Sequence, residues 1–330
     1  MDPNMEVKSL SARRTRRSFL IAAAAAAGGY EFYRWIDRAP GDELLQTPLR
    51  KTLNVNAAIS KAVFDERGLA PTYSVDESRE LRVNGNYGLK QALVPQSYRL
   101  QLVGADNAKA HPNYVSDVTA WDYQYVAEEG QYEGHDTKVA PKDEAAAPNI
   151  LPAFAKAMDD YRKAQGDKRP RGQEEAGKSD STLDAGTPGL LLTLEDVTRL
   201  ARREMVTQFK CIEGWSEIVH WGGVRLADLI AAYPPAKNAQ GELPKYVYME
   251  TPNGDYYCGF NLDECLHPQS LLVTEMADKP LTQWHGAPMR LHMPIKYGYK
   301  QIKCIGLIAY TDEQPDDYWT KLGYDWYAGL

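Results

Sequence analysis

Thr207-Gln208-Phe209-Lys210-Cys211-Ile212-Glu213-Gly214-Trp215-Ser216 reads as a strand that runs into a glycine turn, leaving a thiol at the strand's exit. A cysteine in such a place is by default a small buried hydrophobe, so Cys211 gains meaning only from what answers it. The answer comes from Gly286-Ala287-Pro288-Met289-Arg290-Leu291 and Lys296-Tyr297-Gly298-Tyr299-Lys300-Gln301-Ile302-Lys303. Met289 to Pro294 alternates like a strand, and Lys296, Lys300 and Lys303 crowd around Gly298. Such a cluster can neutralise a phosphate through ammonium groups and backbone N–H. A soft thiolate suits a soft transition metal, and together the segments suggest a metal carried by a phosphorylated organic cofactor.

These residues resemble a family. Phe209 to Ser216, His285 to Arg290 and Lys296 to Lys303 look like the cofactor-binding core of the sulfite oxidase superfamily of molybdopterin enzymes, in its periplasmic branch of protein-methionine-sulfoxide reductases. Three separated motifs stand in the family's order, and the resemblance covers roughly residues 80 to 104 and 188 to 312. It implies that Cys211 ligates molybdenum directly, alongside the dithiolene sulfurs of molybdopterin. It implies further that Thr251, Arg290, Gln301, Ile302 and Lys303 hold the cofactor, Arg290 by its phosphate. His285 stands where the reductases carry asparagine, and of the two only histidine changes charge near neutral pH. Asn86 and Tyr87 are nearest to the family's pterin-touching pair. Asn84 competes if the register slips, and a plain Asn-Gly-Asn turn accounts for the same residues.

A length of 330 residues, 43% hydrophobic and 25% charged, is that of a globular chain able to bury a sizeable core. The net charge of −7 argues against a general nucleic-acid binder. Four cysteines do not make a disulfide framework, and none has zinc or haem-attachment spacing. Cys258, Cys265 and Cys304 read as structural thiols, and His220, His267 and His292 as structural histidines. Of these, His220 has the best claim to function because it follows soon after Cys211.

Thr15-Arg16-Arg17-Ser18-Phe19-Leu20 ahead of an alanine-rich run matches the twin-arginine address for exporting folded proteins. It predicts an encounter with the twin-arginine export machinery and a periplasmic or otherwise exported location. The apolar run is short of the ~20 residues that span a bilayer, so the leader is either removed or kept as an anchor. The expected organisation is a signal or anchor at 1–36, an extended arm at 37–79 with a short helix from Ala57 to Asp65, and an α+β molybdopterin-binding domain at 80–330. A polar insertion at about 105–187 is expected to be a solvated loop, a lid or a docking surface. It carries the aromatic patch Trp121 to Tyr125 and a helix-like run from Ile150 to Ala164.

Downstream, Thr193-Leu194-Glu195-Asp196 has capping-box spacing and opens a helix expected to end near Arg203. A second helix at Arg225 to Ala232 stops before Pro234-Pro235, and a strand spans Lys245 to Thr251.

The resemblance implies oxygen-atom transfer, with reduction of a sulfoxide such as protein methionine sulfoxide favoured. Glu213 and Trp215 stand where sulfite-oxidising relatives place basic residues. Sulfite dehydrogenation with a cytochrome acceptor and a metal-free binding protein of the same fold are the alternatives. The chain ends soon after the core and carries no haem motif. The resemblance therefore implies a monomeric catalytic subunit paired with a haem-bearing membrane electron-transfer subunit or another redox partner.

Overall fold

The computed structural model describes residues 24–41, 46–64, 67–126 and 176–330. The twin-arginine segment, the Ile150 to Ala164 run and most of the 105–187 insertion lie outside them. The chain divides into two compact units, Met1–Ile59 and Ser60–Leu330. In the first, residues 24–38 are helical. No helix among the described residues is long and apolar enough to cross a membrane.

The helix expected from Ala57 to Asp65 is instead the seventeen-residue Thr47–Val63. Pro48 sits in its first turn, where a missing N–H costs nothing. None of its residues is fully buried, and Leu53, Ala57 and Ser60 are partly covered along one face.

The second unit is built on an antiparallel sheet and a mixed one, and it also holds a two-stranded antiparallel pair of β1 (Ala92–Leu93) and β4 (Tyr125–Val126). The antiparallel sheet has the order β11-β10-β7-β6, from Lys279–Pro280, Leu271–Met276, Ser216–Arg225 and Arg202–Lys210, with β12 (Arg290–His292) also paired to β10. The mixed sheet has the order β3-β5-β2-β13-β8-β9, from Tyr114–Val115, Gly189–Leu192, Leu100–Val103, Leu307–Thr311, Tyr246–Glu250 and Tyr257–Asn261. Only β2 and β13 run parallel among these described pairings. Short helices at Leu194–Thr198, Leu226–Ala232, Leu262–Leu266 and Tyr318–Lys321 complete an α+β architecture.

The six-stranded sheet carries the main core, with Leu100, Leu102, Leu190, Val247, Met249, Phe260 and Ile308 buried. A smaller cluster of Leu81, Phe209, Val219, Trp221, Leu271 and Val273 lies under the other sheet, against Cys211 and Trp215. Residues of the expected arm dock on that sheet as an added extended segment. Thr72 bridges Thr207, Tyr73 N donates to Val206 O at 3.0 Å, and Arg79 N donates to Ile218 O at 2.8 Å.

The Thr193 capping box forms, but its helix stops at Thr198 because Arg202 already begins β6, not near Arg203 as the periodicity suggests. The described flanks of the 105–187 insertion are part of the fold. β3 pairs with β5, Trp121 Nε1 donates to Ser97 O at 3.0 Å, and Tyr123 Oη donates to Arg99 O at 2.6 Å.

Beneath this frame lie two ion pairs with fully buried side chains. Lys296 Nζ binds Glu264 and also donates to Tyr327 O, while Lys300 Nζ meets Asp317 at 2.5 Å and donates to Gly259 O at 2.6 Å. The expected phosphate-binding trio of lysines is therefore corrected. Two of its members are spent on internal carboxylates, and only Lys303 reaches the cavity beside Cys211.

Candidate active site

Strand β6 ends at Lys210, and the chain turns at once. Cys211 N donates to Trp215 O at 2.9 Å and Gly214 N donates to Cys211 O at 3.1 Å. Gly214 adopts a φ of +90°, which a side chain would resist, so the tight return into β7 needs glycine there. The turn leaves Cys211 half-buried at the edge of a cavity of about 460 Å³.

Four stretches distant in sequence build its walls: Leu81 to Tyr87, Phe209 to Trp215, Arg290 with Gly298 to Lys303, and the aromatic group Tyr256, Trp319 and Tyr324. The first stretch is pinned by Glu217, which accepts from Arg82 N and Arg82 Nε, both at 2.8 Å. Lys303 pins it again, its Nζ donating to Asn84 O at 2.8 Å and Gly85 O at 3.1 Å. Asn84 Nδ2 then points at the Cys211 Sγ from 3.7 Å and donates to Glu213 Oε2 at 3.2 Å. Trp215 Nε1 donates to the same carboxylate at 2.9 Å. The thiol thus has an amide and an acid as polar neighbours, and Phe209 stacked on Trp215 as its apolar support.

The cavity wall also carries positive charge, from Arg290 and Lys303. Arg290 is 1% exposed and bonds only carbonyls, His285 O at 3.2 Å and Gln301 O at 3.4 Å, with Trp221 and Phe209 rings 5.2 and 5.9 Å from its guanidinium. Among the described residues neither Arg290 nor Lys303 has a carboxylate within ion-pair distance. Burial pushes Arg290 down to about 9, and burial with the neighbouring Arg290 pushes Lys303 down to about 7. Two buried cations without a counter-acid are costly unless an anion joins them. Burial also raises the Cys211 thiol above its ordinary value, and the adjacent Glu213 adds to this.

Of the residues expected to bind a cofactor, Asn86, Tyr87, Cys211, Arg290, Gln301 and Lys303 line this cavity. Thr251, His285 and Ile302 do not. Thr251 is 2% exposed and packs on the backbone of Gly88, where a Cβ would lie 2.5 Å from its methyl group. Both ring nitrogens of His285 are taken, by Thr282 Oγ1 at 2.8 Å and by Leu81 O at 2.7 Å, so its imidazole ties the Leu81 segment down. Its part at the site is its backbone carbonyl, which accepts from Arg290. Ile302 is a core residue.

Gln301 is fixed from behind. His292 Nδ1 donates to Gln301 Oε1 at 2.7 Å, and Thr207 Oγ1 donates to His292 Nε2 at 2.6 Å. Burial drops His292 to about 3, so the ring is neutral and its tautomer is set by these partners.

The sequence pattern does not place Arg82, Tyr256, Trp319 and Tyr324 at the site. For Tyr256 and Tyr324 the only signal is the abundance of tyrosine, 21 in all, and Arg82 and Trp319 have none.

The profile of the oxidoreductase molybdopterin binding domain matches residues 185–319. Over that stretch the chain is similar to the molybdopterin-binding oxidoreductases. It is 34% identical over 145 residues to the protein-methionine-sulfoxide reductase catalytic subunit MsrP of Xanthomonas axonopodis pv. citri, covering 41% of this chain and 45% of that one. It is 35% identical over 160 residues to MsrP of Campylobacter jejuni, covering 43% and 52%. The chain thus spans about half the length of the curated relatives it matches. The sulfane dehydrogenase SoxCD of Paracoccus pantotrophus aligns at a TM-score of 0.34 and 19% identity over 38% of this chain and 36% of that one, a likeness too slight to carry any functional weight.

The cavity in the matched domain has what such a cofactor requires: room, a thiol and two cations with no carboxylate partner among the described residues. Lys303 gives this a measurable sign. Its folded value of about 7 lies below the ordinary lysine value of 10.5, so between these pH values the unfolded chain binds the extra proton. Stability of the cofactor-free protein is therefore expected to rise with pH through that window, and to be lowest below pH 7, where the charged amine is buried. A phosphate at the site restores the proton and flattens the rise. Melting temperature against pH checks this, and Lys303→Met removes the slope.

Proposed function

We propose that this chain is the catalytic part of an exported molybdenum enzyme that reduces a sulfoxide, such as methionine sulfoxide in proteins. The observation that carries the reading is one cavity lined by the Cys211 thiol and by two cations, the buried Arg290 and the half-buried Lys303, that have no acid partner among the described residues. Cys211 would hold the molybdenum, and Arg290 with Lys303 would hold the phosphate of molybdopterin, with Gln301, Asn86 and Tyr87 along the wall between. When bound, that cofactor supplies two-electron oxygen-atom transfer, while the protein contributes orientation, access and tuning.

The protein's own residues favour a neutral substrate. The carboxylate of Glu213 sits beside the thiol, held by Asn84 and Trp215. The arginine near it, Arg82, lies over the Trp215 ring at 4.3 Å and is paired with Glu217. A dianion such as sulfite would meet an acid before any free cation, whereas an uncharged sulfoxide would not. Trp215, Trp319 and Tyr324 offer apolar faces to the methyl and methylene groups flanking the sulfur. The names of the MsrP relatives agree with this substrate class. Electrons would come from a redox partner such as a haem-bearing membrane subunit, and the location would be periplasmic by the twin-arginine route.

The test measures molybdenum content together with turnover of methionine sulfoxide and of sulfite by the same preparation. The expected result is about one molybdenum per chain and reductive turnover of the sulfoxide. Sulfite-dependent cytochrome reduction without sulfoxide turnover would overturn the substrate assignment, and a metal-free, inactive protein from a host that makes the cofactor would overturn the whole reading.

A further inference from the structure

On the five-stranded sheet, His220 of β7 faces Val206 of β6, and Glu204 lies two residues back along β6. Beyond the end of β10 the chain turns through Ala277 and Asp278 into β11, and Ala277 N donates to His220 O at 2.9 Å. That turn brings Asp278 over the imidazole. Glu204 Oε2 lies 3.5 Å from His220 Nε2, and Asp278 Oδ2 lies 3.8 Å from His220 Nδ1. The His220 side chain is 5% exposed, and its Nδ1 has no hydrogen-bond partner among the described residues. A buried ring nitrogen without a partner, turned toward a carboxylate, is the kind of group that a ligand satisfies.

We infer that Glu204, His220 and Asp278 form a binding site for a divalent transition cation, separate from the molybdopterin cavity. One donor atom from each residue can be chosen so that all lie within 4.8 Å of one another. Donors bound to one tetrahedral ion stand about 3.4 Å apart, and one ion takes one ring nitrogen, so with the ion on the unpartnered Nδ1 beside Asp278 the Glu204 side chain, now next to Nε2, must swing toward it to close the set. The Glu204 and Asp278 side chains are free to move, being 50% and 67% exposed, while the imidazole is fixed by burial. One nitrogen and two carboxylates suit a borderline ion such as zinc rather than calcium or magnesium. Arg202 is the nearby competitor, since it binds Glu204 and also holds Glu275 at 2.6 Å. It engages Glu204 through Oε1, leaving Oε2 toward the histidine. With three protein donors the ion keeps a position open to water, and its structural effect is to clip the β10–β11 turn onto β6 and β7.

Zinc titration of the full chain after chelator treatment, followed by calorimetry and melting, tests this. One zinc is expected per chain with a raised melting temperature. Asp278→Asn is expected to bind on the order of tenfold more weakly or worse, asparagine tolerating the φ of +58° there. His220→Gln should abolish binding, and if that variant does not fold, Asp278→Asn still decides. Cobalt in place of zinc should give weak visible bands without a thiolate charge-transfer band. Equal affinity in wild type and Asp278→Asn, a thiolate band that puts the ion on a cysteine, or no binding at micromolar zinc would each overturn the site.

Discussion

Cys211→Ser is expected to abolish turnover, by on the order of a thousandfold or more, equivalent to about 4 kcal/mol of transition-state stabilisation, while the protein stays folded. Serine is close in size, and the turn around it is held by backbone bonds to Trp215 and Gly214, not by the sulfur. The cost to stability should be under roughly 1 kcal/mol. The informative measurement is metal content. Loss of molybdenum with pterin retained would separate the part of the thiol from that of Arg290 and Lys303. Unchanged activity would remove Cys211 from the chemistry altogether.

A second large effect is expected far from any substrate. Glu264→Gln leaves the Lys296 ammonium buried without its acid, which costs about 3–5 kcal/mol. For a unit of this size that lowers the melting temperature by roughly 10 °C. Glutamine keeps an oxygen for the Asn261 N–H that Glu264 caps at 3.0 Å, so the loss reports the charge and not the helix end. Glu264→Gln with Lys296→Met removes both charges and should recover most of the loss. A single variant as stable as wild type would show that the pair contributes little.

The contrast between Lys303 and its two neighbours in sequence marks what the primary structure can and cannot reveal. Spacing puts three lysines around Gly298, and nothing local distinguishes them. What separates them is the placement of Glu264 and Asp317, 32 and 17 positions away, which capture Lys296 and Lys300 once the helices carrying those acids pack. The same limit applies to Asn84, whose approach to Cys211 joins positions 127 apart. It also applies to Trp319 and Tyr324, which reach the cavity from the C-terminal end of the chain. Local chemistry, by contrast, is readable. The glycine turn after β6, the capping box at Thr193 and the buried strand at Arg290 follow from short-range patterns, and the structure forms all three. The helix at Thr47–Val63 is read only in its second half, from Ala57, because none of its residues is fully buried to mark where it begins.

One nitrogen links the cation pair to the segment beside the thiol. The Lys303 ammonium holds the carbonyls of Asn84 and Gly85, and an ammonium has three protons, so one remains for an incoming anion. Whatever draws that nitrogen toward a phosphate also tugs the backbone that aims Asn84 at the sulfur. An anion on Lys303 would thereby be linked to the thiol through a single residue, Asn84.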